Sequence, residues 1–219
     1  MRKLILFISC LLILISCGGP PAPGWLSTAV SRLDQFKAEY LGGRMDVAEM
    51  NYNLALTEIK KSGNMEVLGR AYLTKMALGV ALLDSPPGED FLAIQTLFPS
   101  AQNGSYYALL QGRFTDADPK ALPEAYTKFA AACARGDEKT ADTIVEIKDP
   151  LSRLIACGIF TLYKGDKEEV LKMAVETASH QGWKRALTVY LKRLAAYYER
   201  MGRAGEAERM RSRLSLMGP

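Results

Sequence analysis

From Ser27 onward the chain reads as helix after helix, and most of the stretches between helices are two to four residues long. Connections that short leave no room for a crossover, so consecutive helices must pack antiparallel. Strand signals are scarce, and the fold class expected is all-α. Ser27 is placed to cap a helix that runs to about Leu41 and stops at Gly42-Gly43. The next covers about 45–61, with Ala48, Tyr52, Ala55 and Ile59 on one face at helical spacing. A longer, more apolar helix follows over 65–83. Asp84-Ser85-Pro86-Pro87-Gly88 breaks the pattern. Between 84 and 123 it is irregular, with short helical pieces near 89–97 and 104–112. Helices are then expected at about 123–135, 137–147, 150–164, 167–179, 183–201 and 204–216. Each helix pair carries an apolar face too wide to bury within the pair, so neighbours must stack on one another.

Internal similarity gives this pattern a candidate architecture. The stretch Tyr198-x-x-x-Gly202-x-x-x-x-Ala207, preceded by Leu194 and Ala195, resembles the core of a tetratricopeptide repeat. There a large and a small residue interlock between paired helices and a glycine makes the turn. Gly43-x-x-x-x-Ala48-x-x-x-Tyr52-x-x-Ala55 is similar to the turn and second helix of that motif. Gly136 with Ala141 and Val145, and Gly165 with Val170, are thinner matches. The four glycines are spaced by 93, 29 and 37 residues, whereas regular arrays repeat at 34. Arg211 stands where the motif has an aromatic residue, and no unit ends in the usual proline. The resemblance covers about half the chain after its amino-terminal segment. It implies an irregular solenoid of stacked antiparallel helix pairs over 25–219, a compact α-helical bundle being the alternative. The last helix, with Arg203, Glu206, Glu208, Arg209, Arg211 and Arg213, has the polar outer surface of a cap. The family's groove-facing positions fall on Lys37 and Tyr40 in the first unit and on Lys192, Glu199 and Arg200 in the last. An aromatic ring beside a cation suits capture of an extended peptide.

The amino terminus addresses location. Met1-Arg2-Lys3 is a short basic region, followed by an apolar run over Leu4–Ile15 broken only by Ser9 and Cys10. Twelve helical residues reach about 18 Å, well short of the roughly 30 Å hydrocarbon core. The segment 1–16 therefore reads as a signal peptide. Leu14-Ile15-Ser16-Cys17 resembles the lipobox of bacterial lipoproteins, in which the cysteine thiol receives diacylglycerol before the signal is removed. The resemblance implies that Cys17 attaches the protein to a membrane through several acyl chains. Gly18 replaces the aspartate that retains many Gram-negative lipoproteins in the inner membrane, which favours the outer membrane with the protein facing the periplasm. Residues 17–24 are then the lipidated cysteine and a Gly/Pro tether, reaching at most about 25 Å.

The remaining composition excludes more than it offers. His180 is the only histidine, so a two-histidine zinc motif is absent, and its polar helix-end context argues against a catalytic triad. Neither a P-loop nor a Gly-x-Gly-x-x-Gly fingerprint occurs. No cofactor, no metal site and no catalytic residue is expected. Cys133 and Cys157 remain once Cys10 and Cys17 are set aside. They could close a disulfide loop worth about 3 kcal/mol, or serve as two buried thiols.

Of the 28 Lys and Arg, two leave with the signal, so 26 face 24 acidic residues. Residues 184–219 hold nine basic and three acidic residues, a basic end suited to an anionic surface or simply to a solvated cap. Nucleic acid is not an expected partner on the periplasmic side. Phe91, Phe98, Tyr106, Tyr107 and Phe114 crowd the irregular stretch, where they fill the core or mark an interface.

These readings converge on a membrane-anchored protein-interaction scaffold. The tetratricopeptide resemblance implies a protein or peptide partner, and assistance in assembling an envelope complex. A ligand-binding accessory subunit of a transport system is the alternative, with a cell-wall or glycan-acting enzyme using paired carboxylates third.

Overall fold

The computed structural model describes residues 23–85 and 87–218, and every regular element among them is an α-helix. In chain order these are α1 (Gly24–Gly42), α2 (Met45–Ser62), α3 (Met65–Ala81), α4 (Glu89–Leu97), α5 (Ala101–Leu110), α6 (Glu124–Arg135), α7 (Thr140–Val145), α8 (Pro150–Tyr163), α9 (Glu168–His180), α10 (Lys184–Arg200) and α11 (Ala204–Leu216). Among the described residues no helix is long and apolar enough to cross a membrane. The signal segment 1–16, Cys17 and most of the tether lie outside the described residues.

The hairpins form where glycine can take a left-handed turn. Gly43 at φ 104° closes α1, and Gly202 at φ 71° turns α10 into α11. Antiparallel packing then buries matched faces. Ala48, Tyr52, Ala55 and Ile59 of α2 are all buried, as the spacing predicts. The Tyr52 ring lies 4.7 Å from Phe36 of α1, which also meets Tyr40 edge-on at 5.5 Å. Asn64 caps α3 by accepting from the Val67 N–H at 3.0 Å. Burial of an aromatic such as Phe36 contributes roughly 1.5–3 kcal/mol.

Four elements differ from the sequence expectation in their bounds, among them α5, which starts at Ala101 and ends at Leu110 instead of covering the expected 104–112. α1 starts at Gly24 with Pro23 at the N-cap, so Ser27 lies inside the helix and its Oγ donates to the Gly24 carbonyl at 2.9 Å. Proline's fixed φ suits a helix start, and Gly24 belongs to the helix instead of the extended tether. α3 ends at Ala81 because Leu83 turns into the left-handed region at φ 60°. α7 is shorter than the 137–147 expected.

The helices stack along the chain, and the two ends of the stack also meet. α8 packs on α3 and α10 packs on α1. The first contact depends on Gly158. A Cβ there would sit 2.8 Å from the Val80 carbonyl carbon, 3.1 Å from Ala81 Cα, and closer still to the Val80 oxygen. At the second, the Arg185 guanidinium lies 4.4 Å from the centre of the Tyr40 ring. In this interior Cys133 and Cys157 are free, buried thiols, each pushed up to about 12 by burial. The disulfide considered above is therefore not formed. Cys133 has the Lys164 ammonium as its charged neighbour and Cys157 has Arg153, so the two thiols occupy different surroundings.

α11 packs on α10 and buries only Ala207, as a polar end cap does. Ion pairs tie it down. Arg203 reaches Glu168 and Glu206 at 2.5 and 2.6 Å, and Arg211 pairs with Glu199 and Glu208. Hydrogen bonds from Arg203, then Lys172 and Tyr198, hold the Glu168 carboxyl down at about 2, against its ordinary 4.5. A depressed folded-state value means that this contribution is complete above about pH 4.5 and disappears as pH falls toward 2. Hydrogen exchange is expected to show α11 and the start of α9 losing protection in that window before α3 or α8. Simultaneous loss across all helices would contradict it.

Candidate functional site

Residues from the starts of three helices meet at one place. Ser100 starts α5, its Oγ accepting from the Asn103 N–H at 3.4 Å. Pro123 starts α6 and offers no side-chain cap. Asp149 starts α8, accepting from the Ser152 N–H at 2.8 Å, with Pro150 at the first helical position. The first-turn residues Gln102 and Asn103, Pro123 itself, and Asp149, Leu151 and Ser152 all line a single cleft of about 460 Å³. Lys37 of α1 and Arg70, Thr74, Ala77 and Leu78 of α3 complete its opposite wall. Asn103 fixes the geometry by donating from Nδ2 to the Glu66 carbonyl of α3 at 2.9 Å.

Two tyrosines supply polar groups within this cleft. Tyr106 and Tyr126 stack with ring centres 5.6 Å apart. The Tyr126 hydroxyl is within hydrogen-bonding reach of Tyr106 and Ser152. Burial pushes Tyr126 up to about 12 and Tyr106 well above its ordinary value, so both phenols keep their protons near neutral pH. Lys37 pairs with Asp34 at 2.9 Å and Arg70 with Glu66 at 2.8 Å, both neighbours on their own helices. Asp149 is the one carboxylate in the lining, so acid–base chemistry by paired carboxylates has no second member here. Among the described residues no three His, Cys, Asp or Glu side chains gather as a metal-binding group.

Of the five groove residues named from sequence, only Lys37 borders this cleft. Tyr40 is 8% exposed beneath Arg185 and Phe36, so it belongs to the core and not to an open groove. Lys192 and Arg200 stand exposed on α10, and Arg200 joins Arg193 on the Asp166 carboxylate. Glu199 is taken up by Arg211. The five are not assembled into one site. His180 ends α9 in an exposed position. The aromatic residues of the irregular stretch divide. Phe91 is core, Tyr106 lines the cleft, and Phe98 is 54% exposed beside Leu97 at 73%. Arg70, Tyr126, Asp149 and Ser152 were missed in sequence. The Asp-Pro-x-Ser start of α8 was a readable cap signal, but nothing local marks three caps as neighbours.

Comparison with protein-family models, curated protein sequences and solved structures finds no match.

Proposed function

We propose that the chain is a lipid-anchored, periplasm-facing scaffold of the bacterial outer membrane that holds an envelope partner through the cleft between α1, α3, α5, α6 and α8. The observation that carries this reading is the cleft itself: an open recess with cations at its rim, phenols in its wall and apolar side chains beneath. Recesses that combine apolar surface with a few convergent polar groups are where proteins bind. The exposed Leu92, Leu97 and Phe98 of α4 and its end add apolar surface of the kind that partners cover. The stacked antiparallel hairpins suit an irregular tetratricopeptide-like array, and Cys17 supplies the anchor. A second reading, a ligand-binding accessory subunit, is favoured by cleft size, since 460 Å³ falls within the range of small-molecule sites.

The test is photo-cross-linking in cells. A photoreactive residue at Gln102, in the cleft lining, is expected to give a discrete protein adduct. The same residue at Glu208, on the outer cap, should give none. Equal labelling from both positions, or adducts with lipid alone, would remove the cleft from this role.

A further inference from the structure

We infer that the cleft is an oxyanion site, whose occupant carries a carboxylate- or phosphate-type group on an apolar body. This rests on the cleft being the binding site, and it adds what the site recognises. The charge of the lining is the first argument. It holds two cations, Lys37 and Arg70, against one acid, Asp149. That acid already accepts the Ser152 N–H, so its charge is directed at the amino terminus of its own helix. The acids that pair with the cations, Asp34 and Glu66, lie outside the lining. They form exposed pairs along single helices, which contribute little and exchange partners readily.

The second argument is backbone polarity. Each helix amino terminus carries a partial positive charge of about half a unit, with unpaired N–H groups in its first turn. Residues at the starts of three such helices, each of ten residues or more, line the same cleft: Gln102 and Asn103 of α5, Pro123 and Tyr126 of α6, and Leu151 and Ser152 of α8. A cationic ligand would meet repulsion from Lys37 and Arg70. A neutral one would leave the two cations and the dipoles of these helix starts without a counter-charge. Tyr106 and Tyr126 add phenol donors, and Leu78, Leu122 and Ile155 supply buried apolar surface for the rest of the ligand. Anions on helix amino termini bind through the same combination of donors and dipole.

The group can be borne by a partner protein or by a free small molecule, and one experiment separates these sources from each other and from failure. The full-length protein in zwitterionic lipid nanodiscs is probed by saturation-transfer NMR with four six-carbon compounds: hexanoate, hexyl phosphate, hexylamine and 1-hexanol. Hexanoate and hexyl phosphate are expected to bind and hexylamine is not. Combined Lys37→Glu and Arg70→Glu substitution should weaken the anions at least about tenfold, whereas Lys37→Arg with Arg70→Lys should change them by less than about threefold. Raising sodium chloride from about 50 to about 500 mM should weaken them too. If the amine or the alcohol binds as tightly as hexanoate, and Gln102→Trp blocks it, the cleft remains a binding site but the oxyanion inference is overturned. If Gln102→Trp changes no signal, the cleft reading falls as well. Loss of the Gln102 cross-link in the charge-reversed protein assigns the oxyanion to the partner. Persistence of that cross-link, with free anions still bound by the native cleft, assigns it to a small molecule.

Discussion

Gly158→Ala is expected to lower the melting temperature by roughly 6–12 °C, the equivalent of about 3 kcal/mol at two to four degrees per kcal/mol for a chain of this size. The added methyl would be directed into backbone, at the Val80 carbonyl and Ala81 Cα, which cannot rotate aside as a side chain could. Relief requires α8 to move off α3, and that contact joins the first and second halves of the chain. Both helices are almost wholly buried there: Leu73, Leu78 and Val80 on one side, Leu154, Cys157 and Ile159 on the other. Separation would therefore expose a run of apolar surface and not a single residue. The control is Gly205→Ala on α11, where a new Cβ meets nothing within 4 Å. It should leave stability unchanged or raise it by a few tenths of a kcal/mol. Thermal unfolding followed by circular dichroism decides between them. Equal midpoints for the two variants would show that the α3 backbone does not press on Gly158.

Cys17→Ser is expected to move the protein from the membrane to the soluble fraction almost completely. Attachment through several acyl chains is lasting, and no helix among the described residues could replace it. Fractionation of cells followed by immunodetection is sufficient. The variant should remain folded, because the first described helix begins at Gly24, beyond residue 17. Retention in membranes after high-salt washing would contradict the lipid anchor. Loss of retention only in high salt would assign attachment to the basic carboxy-terminal helices.

The helices were legible because their stops are local. Gly42-Gly43, Ser62-Gly63-Asn64 and Asp84–Gly88 end elements wherever they occur, and the apolar face of α2 follows from spacing alone. The start of α1 was misplaced because Pro23 and Ser27 both suit a helix beginning, and proline, being earlier, starts it first. Tyr40 shows a deeper limit. Periodicity places it on α1, but the residue that covers its ring is Arg185, far along the chain, and no local pattern announces that contact. The cleft has the same character. Its cap residues Ser100, Pro123 and Asp149 are individually recognisable, while their meeting depends on how α3 and α8 bring the middle of the chain together. Arg70 looked like any surface residue of α3, and it acquires significance only from what faces it.

The meeting of α1 with α10 bears on how the chain reaches its folded state. In an open stack each unit touches only its neighbours, so folding can begin at one end and spread. Here the first hairpin is synthesised long before Arg185, which covers it, and α3 waits in the same way for Gly158. A chain exported amino terminus first would carry these uncovered faces until its last third emerged. Such long-range closure slows folding and lengthens exposure to aggregation. Chaperones would find their binding sites on the α1–α3 segment during that interval, and truncation before α10 would make the interval permanent.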